Sequence, residues 1–355
     1  MTALLKRLWC MLMIMTSDNI QTLHKMIVTA PVTNLRSIPQ TQDPMLTLPT
    51  SDQTNPLQIT QLLCGEQVIA HEKFVDENKK VWWRVNTPQQ QYFSEPIGWH
   101  GYPGWILDED LIKVEDFMPH NLVICSKLAT MFYRNDQRIE SLSIGTRLFG
   151  VQKMHNFYQI VTPNREIAYI HTDDLCPLTE IVEKSADQLR ASIIATAKEF
   201  VGDWYSWGGR SAQNDDFGIS SVDCSALIGL SFLAHGLQIP RMSHEQFLRS
   251  QHIAACKDLQ PCDLIFFASI TKRSTRMDHV MLYLGDDQIL ETTFADEHKV
   301  RIVSFQERMG KPCNTIASGD MISWNDEEFY VYFGSFLQDP TMIQRLRDDA
   351  LKNEY

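Results

Sequence analysis

The segment that most constrains the fold is an apolar run that begins at a cysteine. Residues Cys224 to Ala234 (CSALIGLSFLA) are mostly helix formers with an apolar face, and His235-Gly236 follow as a left-handed helix stop. This pattern places the Cys224 thiol in the first turn of a helix. Unpaired N–H groups and the positive end of the helix dipole stabilise a thiolate there, so we expect a lowered thiol pKa. A free cysteine on an apolar helix is also a common small core residue, and both interpretations stay open at this point.

The segments around this helix predict an α+β domain over residues 185–338. Ser185 and Gln188 form a capping box ahead of a helical pattern that runs to about Phe200. Strand-like segments follow the cysteine helix at 264–268, 279–284, 288–293, 300–305 and 329–333. One or two helices packed on an antiparallel sheet therefore form a papain-like domain. A cysteine at a helix start with one histidine on a strand, here His279, is the papain-type way to build a nucleophile and its base.

Two segments ahead of this domain are rich in strand formers and turn residues. They span residues 26–115 and 119–176. Both end alike, with Gly104-Trp105-Ile106 or Ala168-Tyr169-Ile170 leading into an acidic stretch. The likeness predicts a duplicated five-stranded, SH3-like β-barrel. The alternative is two unrelated β segments of one domain.

Three shorter segments lie outside the predicted domains. Residues 1–25 contain a basic pair before eight apolar residues, Leu8 to Met15, which are too few to span a bilayer. No small-x-small cleavage site follows them, and Met26 is an equally credible start, so this segment is a leader or a mis-assigned start. Residues 177–184 read as a polar linker, and residues 339–355 as a charged tail, either a surface helix or disordered.

Composition excludes some partners and suggests a compartment. With 44% hydrophobic and 21% charged residues, the chain is typical of soluble globular proteins. A net charge of −12 and no basic run longer than two residues argue against nucleic acid or an anionic membrane as the partner. The eight cysteines are scattered, with no CxxC pair and no zinc spacing. We expect them to be reduced and the protein to be cytoplasmic, or periplasmic or in the cell envelope if the apolar run is a signal.

Five short segments, in order, carry a family resemblance. They are Tyr205 to Ser211 (YSWGGRS), Asp223-Cys224-Ser225, Ile239-Pro240-Arg241, Pro261 to Phe267 (PCDLIFF) and His279 to Gly285 (HVMLYLG). With them the chain resembles the NlpC family of papain-like peptidoglycan peptidases. It is most similar to the form with two bacterial SH3 domains before the catalytic domain, the γ-D-glutamyl-L-diamino acid endopeptidases. The resemblance covers nearly the whole chain.

The resemblance implies a catalytic triad. Cys224 is the nucleophile, His279 is the base, and the third polar residue, twelve positions after the histidine, is Glu291. Histidine is the commoner residue at that third position. A carboxylate there can hold one imidazole nitrogen protonated and orient the other toward sulfur. The alternative is that Glu291 is a solvated strand residue.

The resemblance also implies substrate contacts in the catalytic domain. Tyr205 is expected to approach the thiol and the oxyanion. Asp223 and Ser225 flank the nucleophile as substrate contacts. Ser243 is expected to bind the D-glutamyl group.

Two further contacts are expected from the first β segment. Tyr102 walls off the far end of the cleft, although it could instead belong to the barrel core, and Glu66 is an acidic partner there. Met242 occupies the place of an aspartate that, in the family, pairs with the substrate's free amino group. Recognition of a free N-terminus would therefore rest on Glu66.

The function implied is that of a cysteine peptidase that cleaves the γ-D-glutamyl–diamino acid bond of murein stem peptides. Short recycled peptides such as L-Ala-γ-D-Glu-diaminopimelate are the expected substrates, with no metal or organic cofactor and no stable membrane insertion. Two alternatives stay open. One is a non-catalytic wall-binding protein with a decayed peptidase domain, and the other is an amidase or acyltransferase that uses the same Cys-His pair.

Overall fold

A computed structural model describes residues 23–41, 57–134, 138–213, 220–270, 276–293, 298–324 and 327–352. The apolar run at 8–15 lies outside the described residues. In the described ranges, the structure has no helix that is both long enough and apolar enough to span a membrane.

The first β unit is a seven-stranded sheet wrapped around an apolar core. Its strands are β1 (His24–Val28), β2 (Val32–Arg36), β3 (Gln58–Leu63), β4 (Gln67–Val75), β5 (Val81–Ser94), β6 (Gly98–Leu107) and β7 (Leu111–Lys113). They are ordered β3-β2-β6-β5-β4-β1-β7. Buried side chains such as Val68, Val85 and Ile106 fill the core. β5 and β6 form a long hairpin whose register shifts between Thr87 and Gln91. This bulge buries the side chains of Gln89 and Gln90.

The second β unit repeats this topology. Its strands are β8 (Leu122–Ile124), β9 (Leu128–Tyr133), β10 (Ile139–Ser143), β11 (Arg147–Met154), β12 (Phe157–Val161), β13 (Ile167–His171) and β14 (Leu175–Pro177). Their order, β10-β9-β13-β12-β11-β8-β14, matches that of the first unit strand for strand. Each unit has seven strands instead of the predicted five, and its first and last strands pair with each other. The matching order supports a duplication, and the SH3-like class of the two units stays a prediction.

The third unit combines helices with an antiparallel sheet, as predicted. Its helices are α1 (Leu178–Ile181), α2 (Ala186–Lys198), α3 (Cys224–Leu233), α4 (Ser243–Arg249), α5 (Phe305–Met309) and α6 (Pro340–Lys352). Its strands are β15 (Trp204–Tyr205), β16 (Arg210–Ser211), β17 (Ser221–Val222), β18 (Gln251–Ile253), β19 (Leu264–Ser269), β20 (His279–Gly285), β21 (Gln288–Thr292), β22 (Val300–Ser304), β23 (Met321–Trp324) and β24 (Glu327–Ser335). The main sheet runs β18-β24-β19-β20-β21-β22, and β23 pairs with β24. Side chains alternate between two apolar cores along its strands, Leu264 and Phe266 in one and Ile265 and Phe267 in the other.

The three units share buried surface. Leu63 of the first unit and Val123 and Ile144 of the second belong to the same apolar cluster as helix α3. The segment 177–184 is not a polar linker, because Leu178 and Ile181 of α1 are buried in that cluster. The C-terminal helix α6 likewise buries one face. The third unit is therefore packed against both β units.

One disulfide corrects the expectation that all cysteines are reduced. Cys256 and Cys313 are bonded, 57 positions apart in the sequence. The N–H of Cys256 donates to the carbonyl of Ile316 at 3.0 Å, and Ala255 pairs with Ala317. Folding thus brings two short turns together, and the spacing of the cysteines alone does not reveal this.

Candidate active site

Cys224 is the first residue of α3, as predicted. The Asp223 side chain caps the helix by accepting a hydrogen bond from the N–H of Ala226 at 2.8 Å. Cys224 is only 9% exposed. Burial raises the pKa of the Cys224 thiol to about 12, and the Asp223 charge adds to this, against backbone hydrogen bonds with Val280 and Ser225 and the charge of Arg241. The expected depression of this pKa is therefore wrong, because desolvation outweighs the favourable helix start.

His279 and Glu291 lie on adjacent antiparallel strands. His279 begins β20, Glu291 lies in β21, and the His279 Nε2 to Glu291 Oε2 distance is 3.2 Å. Glu291 is fully buried, so the alternative of a solvated strand residue is wrong. Helix α3 packs against β20, and the backbone of Val280, next to His279, hydrogen-bonds the Cys224 thiol. The fold thus brings the predicted thiol, imidazole and carboxylate into one region.

Two arginines that the sequence analysis missed also bind Glu291. Arg301 Nη2 donates to Oε1 at 2.9 Å, and Arg308 Nε donates to Oε2 at 2.9 Å. Burial alone would raise the pKa of Glu291, but the His279 hydrogen bond, the Arg308 charge and the Arg301 hydrogen bond lower it to about 2. Glu291 is therefore ionised at neutral pH. Arg301 lies directly opposite Glu291 in the β21–β22 pairing, a neighbour that strand register could have revealed.

A second buried ion pair lies under the helix start. Arg241 donates from Nη1 to Asp223 Oδ1 at 3.0 Å and from Nη2 to Oδ2 at 2.6 Å. It also donates to Ser225 Oγ at 3.0 Å and, through Nε, to Thr60 Oγ1 of the first β unit at 2.6 Å. Ser225 Oγ in turn donates to Asp223 at 3.1 Å. Asp223 and Ser225, predicted to contact substrate, are buried and bonded to the protein itself, so their geometry supports positioning the helix start instead.

Tyr205 and Ser243 lie beside the catalytic groups. Burial raises the pKa of Tyr205 well above its usual value, and the charges of Cys224 and Asp223 contribute because both are close. Ser243 begins α4, and its Oγ donates to the carbonyl of Met277, two residues before His279, at 2.8 Å. Ser243 therefore ties α4 to the chain that leads into β20. Its predicted contact with D-glutamate stays a prediction.

Tyr102 of the first β unit reaches this region. Its ring centroid lies 4.7 Å from that of Tyr92 on the same hairpin. Burial raises the pKa of Tyr102 to about 12, and the charges of Arg241, Asp223 and Glu245 also act on it. A hairpin residue thus lies close to charged groups of the catalytic unit. Tyr102 also packs against the apolar core of the first β unit, as the alternative expected. Its role as a wall of the cleft stays a prediction.

Glu66 is engaged by the protein's own groups. Arg210 Nη2 donates to its Oε1 at 2.7 Å, while Gln90 Nε2 and the N–H of Leu63 donate to Oε2 at 3.1 and 3.3 Å. Glu66 is also buried, with a side chain that is 11% exposed. The structure therefore corrects the expected role of Glu66: the cation that it pairs with is Arg210, across the junction between two units.

A buried carboxylate on α4 was missed. Glu245 is fully buried, and its Oε1 accepts a hydrogen bond from Arg276 Nη2 at 2.7 Å. Its Oε2 has no hydrogen-bond partner among the described residues. Burial raises the pKa of Glu245, against the charge and hydrogen bond of Arg276 and backbone hydrogen bonds with Glu245 itself and Phe93. Glu245 follows Met242 by three positions, the spacing that places two residues on one helix face, and this signal could have identified it.

Within the described ranges, no group of three or more His, Cys, Asp or Glu side chains is arranged to hold a metal ion.

A cysteine at a buried helix start, packed on the strand that carries a histidine hydrogen-bonded to a carboxylate, is typical of a papain-like cysteine peptidase fold. The pattern of the NlpC/P60 family matches residues 202–318. The chain is 30% identical over 234 residues to the gamma-D-glutamyl-L-lysine dipeptidyl-peptidase of Bacillus subtilis. The aligned residues make up 66% of this chain and 71% of that protein. The chain belongs to the NlpC/P60 family of peptidoglycan hydrolases.

Two further similarities extend this result. Peptidoglycan endopeptidase RipB of Mycobacterium tuberculosis is 33% identical over 121 residues, which are 32% of this chain and 48% of RipB. The crystal structure of an NlpC/P60 family protein from Bacillus cereus superposes with a TM-score of 0.67 at 22% identity, over 88% of this chain and 99% of that one. The second similarity shows that the fold is shared over nearly the whole chain.

Proposed function

We propose that this protein hydrolyses the amide between γ-D-glutamate and a diamino acid in short murein peptides such as L-Ala-γ-D-Glu-diaminopimelate. The observation that carries the proposal is the buried Cys224 at a helix start beside the hydrogen-bonded His279–Glu291 pair. The similarity to a B. subtilis protein named as a gamma-D-glutamyl-L-lysine dipeptidyl-peptidase supports the choice of bond.

In the proposed reaction, the Cys224 thiol gives its proton to His279 as the sulfur attacks the γ-carbonyl carbon. A raised thiol pKa favours this concerted transfer over a preformed thiolate. The Tyr205 hydroxyl and N–H groups at the start of α3 stabilise the oxyanion. The imidazolium then protonates the leaving amine and the C–N bond breaks. Water, deprotonated by His279, releases the glutamyl group from sulfur and restores the thiol.

The preference for short peptides is supported by the hairpin of the first β unit. Its Gln91 carbonyl accepts a hydrogen bond from the N–H of Arg241 at 3.3 Å, and its Trp99 ring lies 4.0 Å from the Arg249 guanidinium of α4. These contacts hold Tyr102 close to the catalytic unit. A stem peptide still joined to a glycan strand would clash with such a wall, whereas a free peptide would end against it.

Glu245 is the carboxylate that we assign to the substrate's free ammonium. It is buried, it acts electrostatically on Tyr102, and its Oε2 has no partner among the described residues. Binding an ammonium there would give that oxygen a charged hydrogen-bond donor, while Oε1 keeps its bond to Arg276. Glu66 is less suited to this role, because both of its carboxylate oxygens already accept hydrogen bonds within the protein.

The test compares kcat/KM for the free and the N-acetylated tripeptide on the wild type, Glu245→Gln and Glu66→Gln. The wild type should prefer the free peptide by about tenfold or more, and Glu245→Gln should lose most of this preference, since one charged hydrogen bond is removed. Glu66→Gln is the matched control and should keep the preference while it loses stability. Equal rates for both peptides on the wild type, or efficient release of fragments from intact sacculi, would contradict the proposed substrate. No turnover of any murein peptide would favour the wall-binding alternative.

We also propose that the working compartment is oxidising. The Cys256–Cys313 disulfide supports an envelope or periplasmic location over the cytoplasmic one, because cytosolic thiols are kept reduced. Thiol alkylation followed by mass spectrometry, on protein isolated from its host, tests this. Recovery of Cys256 and Cys313 as alkylated thiols would contradict this proposal and favour a cytoplasmic location.

A further inference from the structure

One carboxylate oxygen serves both the catalytic imidazole and an arginine. Glu291 Oε2 lies 3.2 Å from His279 Nε2 and accepts a hydrogen bond from Arg308 Nε at 2.9 Å. Oε1 is bound to Arg301. Among the described residues, the charged or titratable groups in contact with Glu291 are His279 from β20, Arg301 from β22 and Arg308 from α5. On the thiol side of His279, the corresponding groups are Asp223, Arg241 and Tyr205.

Two guanidinium groups place positive charge directly on the Glu291 carboxylate. Arg301 lies 2.9 Å from Oε1 and Arg308 lies 2.9 Å from Oε2, so the carboxylate that faces His279 is already paired before the imidazole takes up a proton. An unopposed buried carboxylate would attract an imidazolium strongly, because such pairs interact in a low-dielectric interior. The arginines reduce that attraction. Arg308 has the greater effect, since its side chain is 2% exposed while that of Arg301 is 26% exposed and better screened by solvent.

Arg308 is also fixed in place. Its guanidinium lies 3.5 Å from the centroid of the Trp324 ring and 4.9 Å from that of Phe267. These aromatic faces hold a planar cation well and leave little freedom for its Nε. Arg308 belongs to the short helix α5, capped by the Ser304 side chain at the N–H of Glu307. A fixed donor at Oε2 fixes the carboxylate, and the carboxylate fixes the imidazole.

We infer that Arg308 is a positioning residue for His279: it holds Glu291 Oε2 against the imidazole and offsets the carboxylate charge. With this partner, an ionised glutamate orients the ring much as a neutral acceptor would, and it does not trap the ring as an imidazolium. The chain therefore uses Glu291 and Arg308 as one unit at the position that follows the catalytic histidine.

The experiment follows the pH dependence of Cys224 alkylation by iodoacetamide, together with kcat and KM on the tripeptide. In Arg308→Gln, the unopposed Glu291 favours the thiolate–imidazolium pair, so the alkylation midpoint should fall by about one pH unit, a tenfold change in thiolate population. kcat should fall by about tenfold or more, with little change in KM, because the base is held less well. Arg301→Gln is the matched control, and its midpoint shift should be less than half as large.

Coupling to Glu291 separates this role from a structural one. In a Glu291→Gln background the charge that Arg308 offsets is gone, so adding Arg308→Gln should leave the midpoint unchanged. The same shift in both backgrounds would overturn the inference, as would a wild-type midpoint and kcat in Arg308→Gln. If Arg308→Gln does not fold, Arg308→Lys carries the test. It keeps the charge but loses the fixed Nε contact, so kcat must fall at an unchanged midpoint, and an unchanged kcat overturns the inference.

Of the two measurements, only kcat on the tripeptide rests on the proposed function. Alkylation needs no substrate, so the midpoint shifts can be measured even if the tripeptide is not cleaved. Failure of the proposed substrate and failure of the Arg308 assignment are therefore distinguishable.

Discussion

Asp223 offers a sharp test of how the nucleophile is held, because it links the helix cap to a buried ion pair. In Asp223→Ala the N-cap of α3 is lost, which costs about 1 kcal/mol. The same change leaves Arg241 as a buried cation, 1% exposed, that has lost both of its hydrogen bonds to Asp223. Removing one partner of a buried ion pair costs about 3–5 kcal/mol. The expected loss of stability is therefore about 4–6 kcal/mol.

The thiol should respond in the opposite sense. The Asp223 charge raises the pKa of Cys224, so its removal should lower that pKa and move the alkylation of Cys224 to lower pH. The result is a less stable protein with a more readily ionised thiol. Asp223→Asn should show the same pH shift with a smaller stability loss, since the amide oxygen can still cap the helix.

Urea unfolding at neutral pH measures the stability of the wild type and the Asp223 variants, and the pH dependence of alkylation measures the ionisation of Cys224 in each. Ser185→Ala removes the N-cap of α2, away from the thiol, and serves as the matched control, with an expected cost of about 1 kcal/mol and no change in alkylation. A loss below about 1 kcal/mol in Asp223→Ala would refute the reasoning on the ion pair. An unchanged alkylation profile would refute the reasoning on the thiol.

Three other predictions concern two buried carboxylates, Glu291 and Glu66. The pKa of Glu291 is lowered from 4.5 to about 2, so its contribution to stability is complete above pH 4.5 and is lost as the pH falls toward 2. The difference in unfolding free energy between the wild type and Glu291→Gln, measured by urea unfolding, should therefore decrease as the pH falls from 4.5 to about 2. At neutral pH, Glu291→Ala should lose about 10²–10⁴-fold in kcat and Glu291→Gln less, because only the amide still accepts a hydrogen bond; a wild-type rate in the alanine variant would contradict the triad role. Arg210→Met should leave Glu66 as a buried unpaired charge and cost about 3–5 kcal/mol in urea unfolding, and a neutral result would contradict the ion pair.

Local features of the site could be predicted from the sequence. The run from Cys224 carries its own helix formers and its own cap, so its helix was predicted to within one residue of Cys224–Leu233. The pairing of His279 with Glu291 depends on two neighbouring strands joined by a tight turn at Asp286-Asp287. The register that pairs Leu282 with Leu290 makes His279 and Glu291 diagonal neighbours on one face of the hairpin. Strand bounds in the sheet were also close to those observed, because alternation of apolar residues is a local signal.

The contacts that were missed join distant parts of the chain. Arg210 and Glu66 are 144 positions apart, and Arg241 and Thr60 are 181 positions apart, so no local pattern indicates their pairing. The Cys256–Cys313 bond depends in the same way on two turns that only the folded sheet brings together. The pKa of Cys224 was predicted in the wrong direction because a helix start is visible in the sequence, whereas the depth of burial is not.

The most direct test of the central claim is mass spectrometry of the products formed from L-Ala-γ-D-Glu-diaminopimelate in heavy-oxygen water. The account predicts two products, free diaminopimelate and L-Ala-D-Glu with one heavy oxygen in its γ-carboxyl group, since water releases the glutamyl group from Cys224. Cys224→Ala should give neither product and keep the fold, because alanine suits a first helical turn, while Cys125→Ala, in the second β unit, should behave as wild type. Cleavage by Cys224→Ala, or cleavage by the wild type only between L-Ala and D-Glu, would contradict the account.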